Sequence, residues 1–254
     1  MSCRMTVAAV LMGCLSAGGA AQAQGMMRGL DMTSPRMTKA EMTRNEVAAV
    51  LERATKDAPA DFSRKALNGL DLTGLDFDGA LFTAATINGT DFSGDSMVGA
   101  KLDQAWGLKA NFSGANLPKA SLFQAQMMGA DFTGANLSGA RVASDFSRAK
   151  MVKANLSGAD FSADMRNQSM GLMRGVLDSA DLAGANLVGA KMSHASAEFA
   201  SFKNADLSGA DLTKIEAAGA KFAGATVTGA DFSGADLQSA ELAGMKGEPK
   251  NLTK

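Results

Sequence analysis

The sequence predicts an all-β solenoid, a chain wound into stacked coils around an apolar core, with a short helix ahead of it. Three observations predict this. From Ala60 to Gly244 an apolar residue returns at every fifth position. Ala usually stands two places before that residue and Gly two places after it. The third observation is a helix-start signal, Thr43-Arg44-Asn45-Glu46, just before the periodic tract. A period of five suits neither a helix nor a flat strand, so it describes another geometry.

In chain order, residues 1–23 read as a secretory signal. Arg4 supplies the positive start, Met5 to Leu15 is a short apolar run, and Ala21-Gln22-Ala23 is an A-x-A cleavage site. The run is too short to span a bilayer, and no later segment is long and apolar enough to do so. Leu11-Met12-Gly13-Cys14 is the alternative, a lipoprotein-like signal ending in a lipidated cysteine, which Met12 fits poorly. Both cysteines, Cys3 and Cys14, lie in this region. Cleavage after Ala23 therefore leaves no disulfide, no thiol nucleophile and no cysteine metal site. The expectation is a periplasmic or secreted protein.

Residues 24–59 form a separate segment. Thr43 to Glu46 is a capping box, with Met42 and Val47 placed as a hydrophobic staple. Val47, Val50, Leu51 and Ala54 then make one apolar stripe, which predicts a helix from Arg44 to Thr55. Thr38-Lys39-Ala40-Glu41 offers an earlier start. The helix is expected to cover the first edge of the stack, as terminal units of repeat arrays require.

Residues 60–244 are the repeat tract. The centres run from Phe62 in steps of five to Val142, with Gly107 standing where a large residue belongs. The register then slips back by one to Phe146, Met151, Leu156 and Phe161. It is read as slipping forward by one across 162–171 and resuming at Leu172, up to Leu242. Two inward positions per unit, one small and one large, make a core. The other three are Asp/Asn, Ser/Thr and Gly, residues that suit solvent and tight turns, with Gly tolerating positive φ. A single coil cannot bury its apolar residues, so stability must come from its neighbours. Residues 245–254 read as a polar tail.

Ala135-Asn136-Leu137 and Ala180-Asp181-Leu182 carry the A-(D/N)-L consensus, and the tract resembles the pentapeptide-repeat family over about 185 residues. The resemblance implies a right-handed, four-sided β-helix with four units per coil. At about 4.8 Å per coil, about nine coils would make a rod of roughly 43 Å. The helix followed by Asp61-Phe62-Ser63-Arg64 is also similar to N-terminal caps of exported members.

Chemistry is sparse. His194 is the one histidine and sits at an outward position. With no partner histidine or mature cysteine there is no nucleophile–base pair, no zinc set and no expected catalytic residue or cofactor. The recurring aspartates, such as Asp71, Asp91, Asp131, Asp206 and Asp231, recur because the repeat does. Net charge over the whole chain is −1, which excludes a basic nucleic-acid binder. Some family members inhibit DNA gyrase by imitating duplex DNA. Residues 60–244 hold 20 Asp/Glu against 15 Lys/Arg, a net of −5. A duplex of the same roughly 43 Å would carry about 25 charges. Copper binding through Met26, Met27, Met32, Met37 and Met42 is a further alternative, against which methionine also fills apolar gaps.

The functional expectation is therefore an exported, non-enzymatic rod acting as a structural or protein-interaction module, its protein partner unidentified and homodimerisation left open. Counted four to a coil from Phe62, the unit of Gly107 and both register breaks fall on one face. Trp106, Leu108 and Met128 would point outward there as an apolar patch, a candidate partner site. The alternative is that Trp106 or Leu108 folds inward to fill the slot that Gly107 leaves.

Overall fold

The computed structural model describes residues 31–165 and 173–252. The described residues belong to one unit that begins at Asp31. Its regular part is held by single-residue parallel bridges, first between residues 20 apart: Asp61 with Leu81, Ala66 with Thr86, Asp71 with Asp91, and Asp76 with Ser96. Repeated down the chain, these make four ladders, one per side. Side 1 runs from Asp61 to Lys250, side 2 from Ala66 to Asp236, side 3 from Asp71 to Glu241 and side 4 from Asp76 to Lys246. The ladders thus continue past Gly244 into the segment read as a tail, and Met245 and Leu252 pack against the core.

Each unit of five is one rung and one corner. The residue before the centre makes the bridge, and the centre points inward. The two residues that follow turn the chain. The N–H of the next small residue then closes on the carbonyl of the centre, as in Ala80 N to Phe77 O at 3.0 Å. The residue two after the centre has positive φ, whether it is Gly79 or Lys119. That combination is a type II turn, and it explains why glycine prevails there. The rung Asp or Asn secures the same turn, as Asp71 does by accepting the Thr73 N–H and hydroxyl at 3.1 and 2.7 Å. Those bonds, the hydroxyl first, hold the Asp71 carboxyl below its ordinary range.

The centres from Phe62 to Phe232 form one apolar cluster with the alanines of the small positions. Phenylalanines stack along it: Phe112 and Phe132 lie 4.8 Å apart at 6°, and Phe202 and Phe222 lie 5.0 Å apart at 12°. On side 4 the amide of Asn136 donates to Asn116, that of Asn155 to Asn136, and that of Asn186 to Asn155.

Ahead of the ladders lie two helices, α1 (Pro35–Thr38) and α2 (Arg44–Leu51). The capping box is formed as expected, with Thr43 Oγ1 accepting from the Glu46 N–H and Glu46 accepting from the Thr43 N–H. α2 ends four residues before Thr55, because Thr55 and Ala58 pair their backbones in a tight turn. The earlier start at Thr38 is not used: Lys39 is extended, and Ala40 bridges Leu67 in an antiparallel sense. Val47 is fully buried, and Met42, Val50, Leu51 and Ala54 pack against the core. Side 2 and side 3 of the first coil are joined to this segment by polar contacts as well. Asn68 donates to the carbonyls of Arg36 and Lys39, and Arg44 donates to those of Asp71 and Thr73.

The break near 162–171 is larger than the sequence suggests. Asp145 bridges Val176 and Asp160 bridges Lys191, steps of 31 where the rule is 20. The insertion is therefore eleven residues rather than one, and two units counted as coil lie outside the rod. Because eleven is two periods plus one, counting by fives absorbs all but the last residue. The chain leaves after Phe161, pairs Asp164 with Met173, and returns where the Gly175 N–H bonds Phe161 O at 2.8 Å. A Cβ on Gly175 would lie 2.7 Å from Phe161 Cβ, so the return needs glycine. Leu172, read as a centre, lies outside the described residues. From Leu177 onward the centres are as expected.

One buried carboxylate departs from the pattern. Asp95 occupies a small inward position at the start of side 4, just before the Ser96 rung, is 2% exposed and leaves Oδ2 without a partner, while Oδ1 accepts the Gly74 N–H at 2.6 Å. Burial pushes its carboxyl up to about 6, against the opposing pull of that N–H and of Arg44. A folded-state pKa above the unfolded value favours folding of the protonated form. Asp95 thus contributes most stability below about pH 4 and loses it as the pH rises to about 6. Relative to wild type, Asp95→Asn should lose this decline in denaturation midpoint between those values, measured by urea melts across pH. Independently, Phe132→Ala should cost about 3–5 kcal/mol in the same assay, as large buried truncations do.

Candidate interaction surface

Side 2 holds every sequence-predicted site residue. Trp106 is a rung, bridged to Thr86 above and Gln126 below, with its side chain outward and partly exposed. Its backbone is in register: Trp106 N to Ala85 O is 2.9 Å and Ile87 N to Trp106 O is 2.7 Å. Leu108 and Met128 follow the centres of successive coils and are also partly exposed. The Leu108 N–H bonds Asn88 Oδ1 at 2.9 Å, so its turn is held from the coil above. The structure brings the three residues onto one side, on adjacent coils.

The slot of Gly107 is filled by a route that the sequence reading did not include. Neither Trp106 nor Leu108 turns inward. A Cβ on Gly107 would lie 2.6 Å from Met127 Sδ and 3.4 Å from Ile87 Cγ1. Met127, the centre of the next coil, leans into the space, and its flexible thioether suits that task. The register around Gly107 survives, with Gly107 N to Gln126 O at 2.8 Å.

Both breaks in the repeat lie at the corner where side 1 turns into side 2. The first shortens the step from Gln126 to Asp145 to 19. There Ser144 is buried, and its hydroxyl bonds Leu122 O and accepts the Ala125 N–H at 3.1 Å, tying the shortened corner to the coil above. The second is the eleven-residue excursion. Arg174, on its returning arm, clamps Glu216 with two bonds of 2.6 and 2.7 Å and also reaches His194 O at 3.2 Å. That pair spans 42 residues and has no signature in the period. Phe199, also missed, does have one: it occupies a turn position where the period calls for glycine, at φ 58°.

Among the described residues, no group of three His, Cys, Asp or Glu side chains converges closely enough to hold a metal ion. His194 Nδ1 lies 3.0 Å from Ser193 Oγ, which in turn accepts from Thr213 at 2.8 Å. Met37 is buried and Met42 packs against the core, while Met26 and Met27 lie outside the described residues. No described helix is long and apolar enough to cross a membrane.

The pentapeptide-repeats profile matches residues 60–94, 109–142, 143–163, 177–214 and 218–246, more than half of the chain, as eight copies. The chain belongs to the pentapeptide-repeat family. Pentapeptide-repeat proteins fold as right-handed quadrilateral β-helices. Similar solved structures include HetL, a pentapeptide repeat protein involved in heterocyst differentiation regulation from Nostoc sp. strain PCC 7120. It is 25% identical, over 73% of this chain and 86% of that one, with a TM-score of 0.39. Another is QnrB1, a plasmid-mediated fluoroquinolone resistance protein, 22% identical over 73% and 84% with a TM-score of 0.34. A third is Rfr23 from Cyanothece 51142, 16% identical over 80% and 99% with a TM-score of 0.26. No curated protein matches the chain.

In this pentapeptide-repeat rod the shared slot makes a test. Gly107→Leu alone should overpack against Met127 and cost about 1–3 kcal/mol. Met127→Ala alone should open a cavity and cost about 2–5 kcal/mol. Combined, the two should cost clearly less than their sum, measured by urea denaturation of all four proteins; strict additivity would show that they do not share the space.

Proposed function

We propose that the chain is an exported, non-enzymatic rod of nine coils, shielded at its first edge by α2, that serves as a protein-interaction module. The observation that carries this reading is the apolar trio Trp106, Leu108 and Met128 on side 2. The equivalent positions on neighbouring coils hold Thr86, Asn88, Gln126 and Ser147. A partly exposed tryptophan beside two flexible apolar side chains is the composition of a binding hot spot. Nine steps of the side 1 ladder, from Asp61 to Lys250, support the coil count. The buried Val47 and the Ala40–Leu67 bridge support the shielding role. Family membership, together with a sole histidine held by a serine hydroxyl, supports a non-catalytic role. Arg4, the apolar run and Ala21-Gln22-Ala23 support export, with cleavage after Ala23.

Purified from a periplasmic fraction, the protein should begin at Gln24 by mass spectrometry. Cross-linking in that fraction should capture a partner protein that Trp106→Ser fails to capture, with an unchanged thermal melt. A chain that retains Met1 in the cytosol would overturn export, and a lipidated Cys14 would replace soluble export by anchoring. Equal capture by Trp106→Ser would overturn the assigned surface.

A further inference from the structure

At the first coil one corner departs from the backbone pattern. Turn N–H groups of that coil bond turn carbonyls of the second, as Gly69 N does with Asn88 O and Gly79 N with Val98 O, both at 2.9 Å. The turn at 72–75, between sides 3 and 4, is held differently. Its Gly74 N–H donates to Asp95 Oδ1 at 2.6 Å, and the Leu75 N–H also bonds that carboxyl. The carbonyls of the same corner are taken by the helix before the rod. Arg44, the first residue of α2, donates to Asp71 O at 2.8 Å and to Thr73 O at 2.5 Å, and its guanidinium lies 3.7 Å from the Asp71 carboxylate. One turn is thus held between α2 and a buried acid.

Asp95 stands where the repeat places alanine on later coils, as at Ala115, Ala135 and Ala154. Two charges bear on it, Arg44 from α2 and Asp91 from its own coil. Glu46, also on α2, is engaged by Thr43, and the coil below presents the uncharged Ala115 and Asn116. Two effects compete at this carboxyl. The N–H groups and Arg44 favour its charged form, whereas burial, with Oδ2 sealed and unpartnered, favours the proton. Burial wins, so the closed corner prefers the protonated acid. Once the proton leaves, the charge on Oδ2 is relieved by admitting water to the corner or by turning Arg44 from the two carbonyls to the carboxylate. Either movement removes what holds the N-terminus of α2.

We propose that Asp95 is a proton-operated latch on α2: protonated, it keeps the 72–75 corner closed under Arg44 and α2 seated; ionised, it lets the corner and α2 open together. The opening is local, distinct from unfolding of the whole rod. Where α2 shields the first edge, the latch also sets the pH at which that edge becomes open to another chain. That consequence rests on the shielding role proposed above, while the latch itself does not. Neither depends on the Trp106 surface.

The test is hydrogen–deuterium exchange of the purified protein across pH, read by mass spectrometry with the chemical exchange rate divided out. Peptides covering Arg44–Leu51 and 72–76 should open about tenfold more at about pH 7.5 than at about pH 5, levelling off above about 6, as linkage through a carboxyl at 3.8 when open and about 6 when closed requires. Peptides holding Phe202, Phe222 and Phe232 should show no such step. Asp95→Asn should keep both first-coil peptides at their low-pH protection throughout. Asp95→Ala, the residue of later coils, should also remove the pH dependence, even where it lowers protection. A step that survives in both variants would belong to another group and overturn the latch. So would an equal step along the whole rod, which is global unfolding, or an α2 protection that is flat across pH in the wild type. Light scattering reads the consequence separately. Association that grows with pH in the wild type and not in Asp95→Asn supports it, whereas local opening without association overturns the shielding role and leaves the latch standing.

Discussion

The structure depends on one backbone arrangement, the hydrogen bonds between successive coils. Each rung both donates to and accepts from the coil before it, as Leu81 does with Ala60 O at 2.9 Å and Phe62 N at 2.7 Å. The bridges are one residue long, so each side is only as wide as a rung, and the chain must turn after every one. Three of five positions are thereby assigned to turning and solvent, and two to the core. The letters of the repeat follow: aspartate or asparagine at the rung to hold the turn, glycine where φ is positive, alanine where the chain comes back inside. None of these bonds uses a side chain, so outward side chains can vary without touching what holds the rod together.

That separation decides where irregularities are tolerated. Adding or removing residues within a side would shift each later rung off its partner. At a corner the change is absorbed before the next rung. The lost residue before Asp145 and the eleven extra residues before Val176 both lie at the corner between sides 1 and 2. The asparagine ladder of side 4 passes both breaks with its amides still paired, Asn136 to Asn155 to Asn186. The shortened corner needs Ser144 to satisfy its neighbours, and the long one needs Gly175 to close on Phe161.

What the sequence makes legible is what repeats locally. The centres from Phe62 to Phe161 and from Leu177 to Leu242, the turn glycines and the Thr43 capping box are set by residues within five positions of one another, so a single chain shows them. The features it hides are set across coils. Met127 fills the slot of Gly107 from 20 residues away, and Arg174 reaches Glu216 across 42. The excursion is hidden for an arithmetical reason, since eleven residues pass for two units and a slip. α2 is shorter than its apolar stripe because Ala54 packs from the turn that follows rather than from the helix. Side 2 was legible as the uneven side.

Side 2 also differs from the rest in how its side chains are used. On sides 3 and 4 the outward residues mostly serve the rod, capping turns or laddering with one another, as Asp131 caps Thr133 and Asn155 bonds Asn136. On side 2, Asp145 and Asp236 also cap their turns, at the N–H groups of Ser147 and Gln238, but Trp106 and Phe199 form no such bond. Phe199 even occupies a backbone region that disfavours a bulky side chain. A repeat that could place Gly or Asn at that turn, and Asn or Thr at the Trp106 rung, does so on other coils. Residues that weaken local consistency without supporting the stack are those expected where a surface meets something else. That reasoning singles out Trp106 and Phe199, which lie on the same side of the rod.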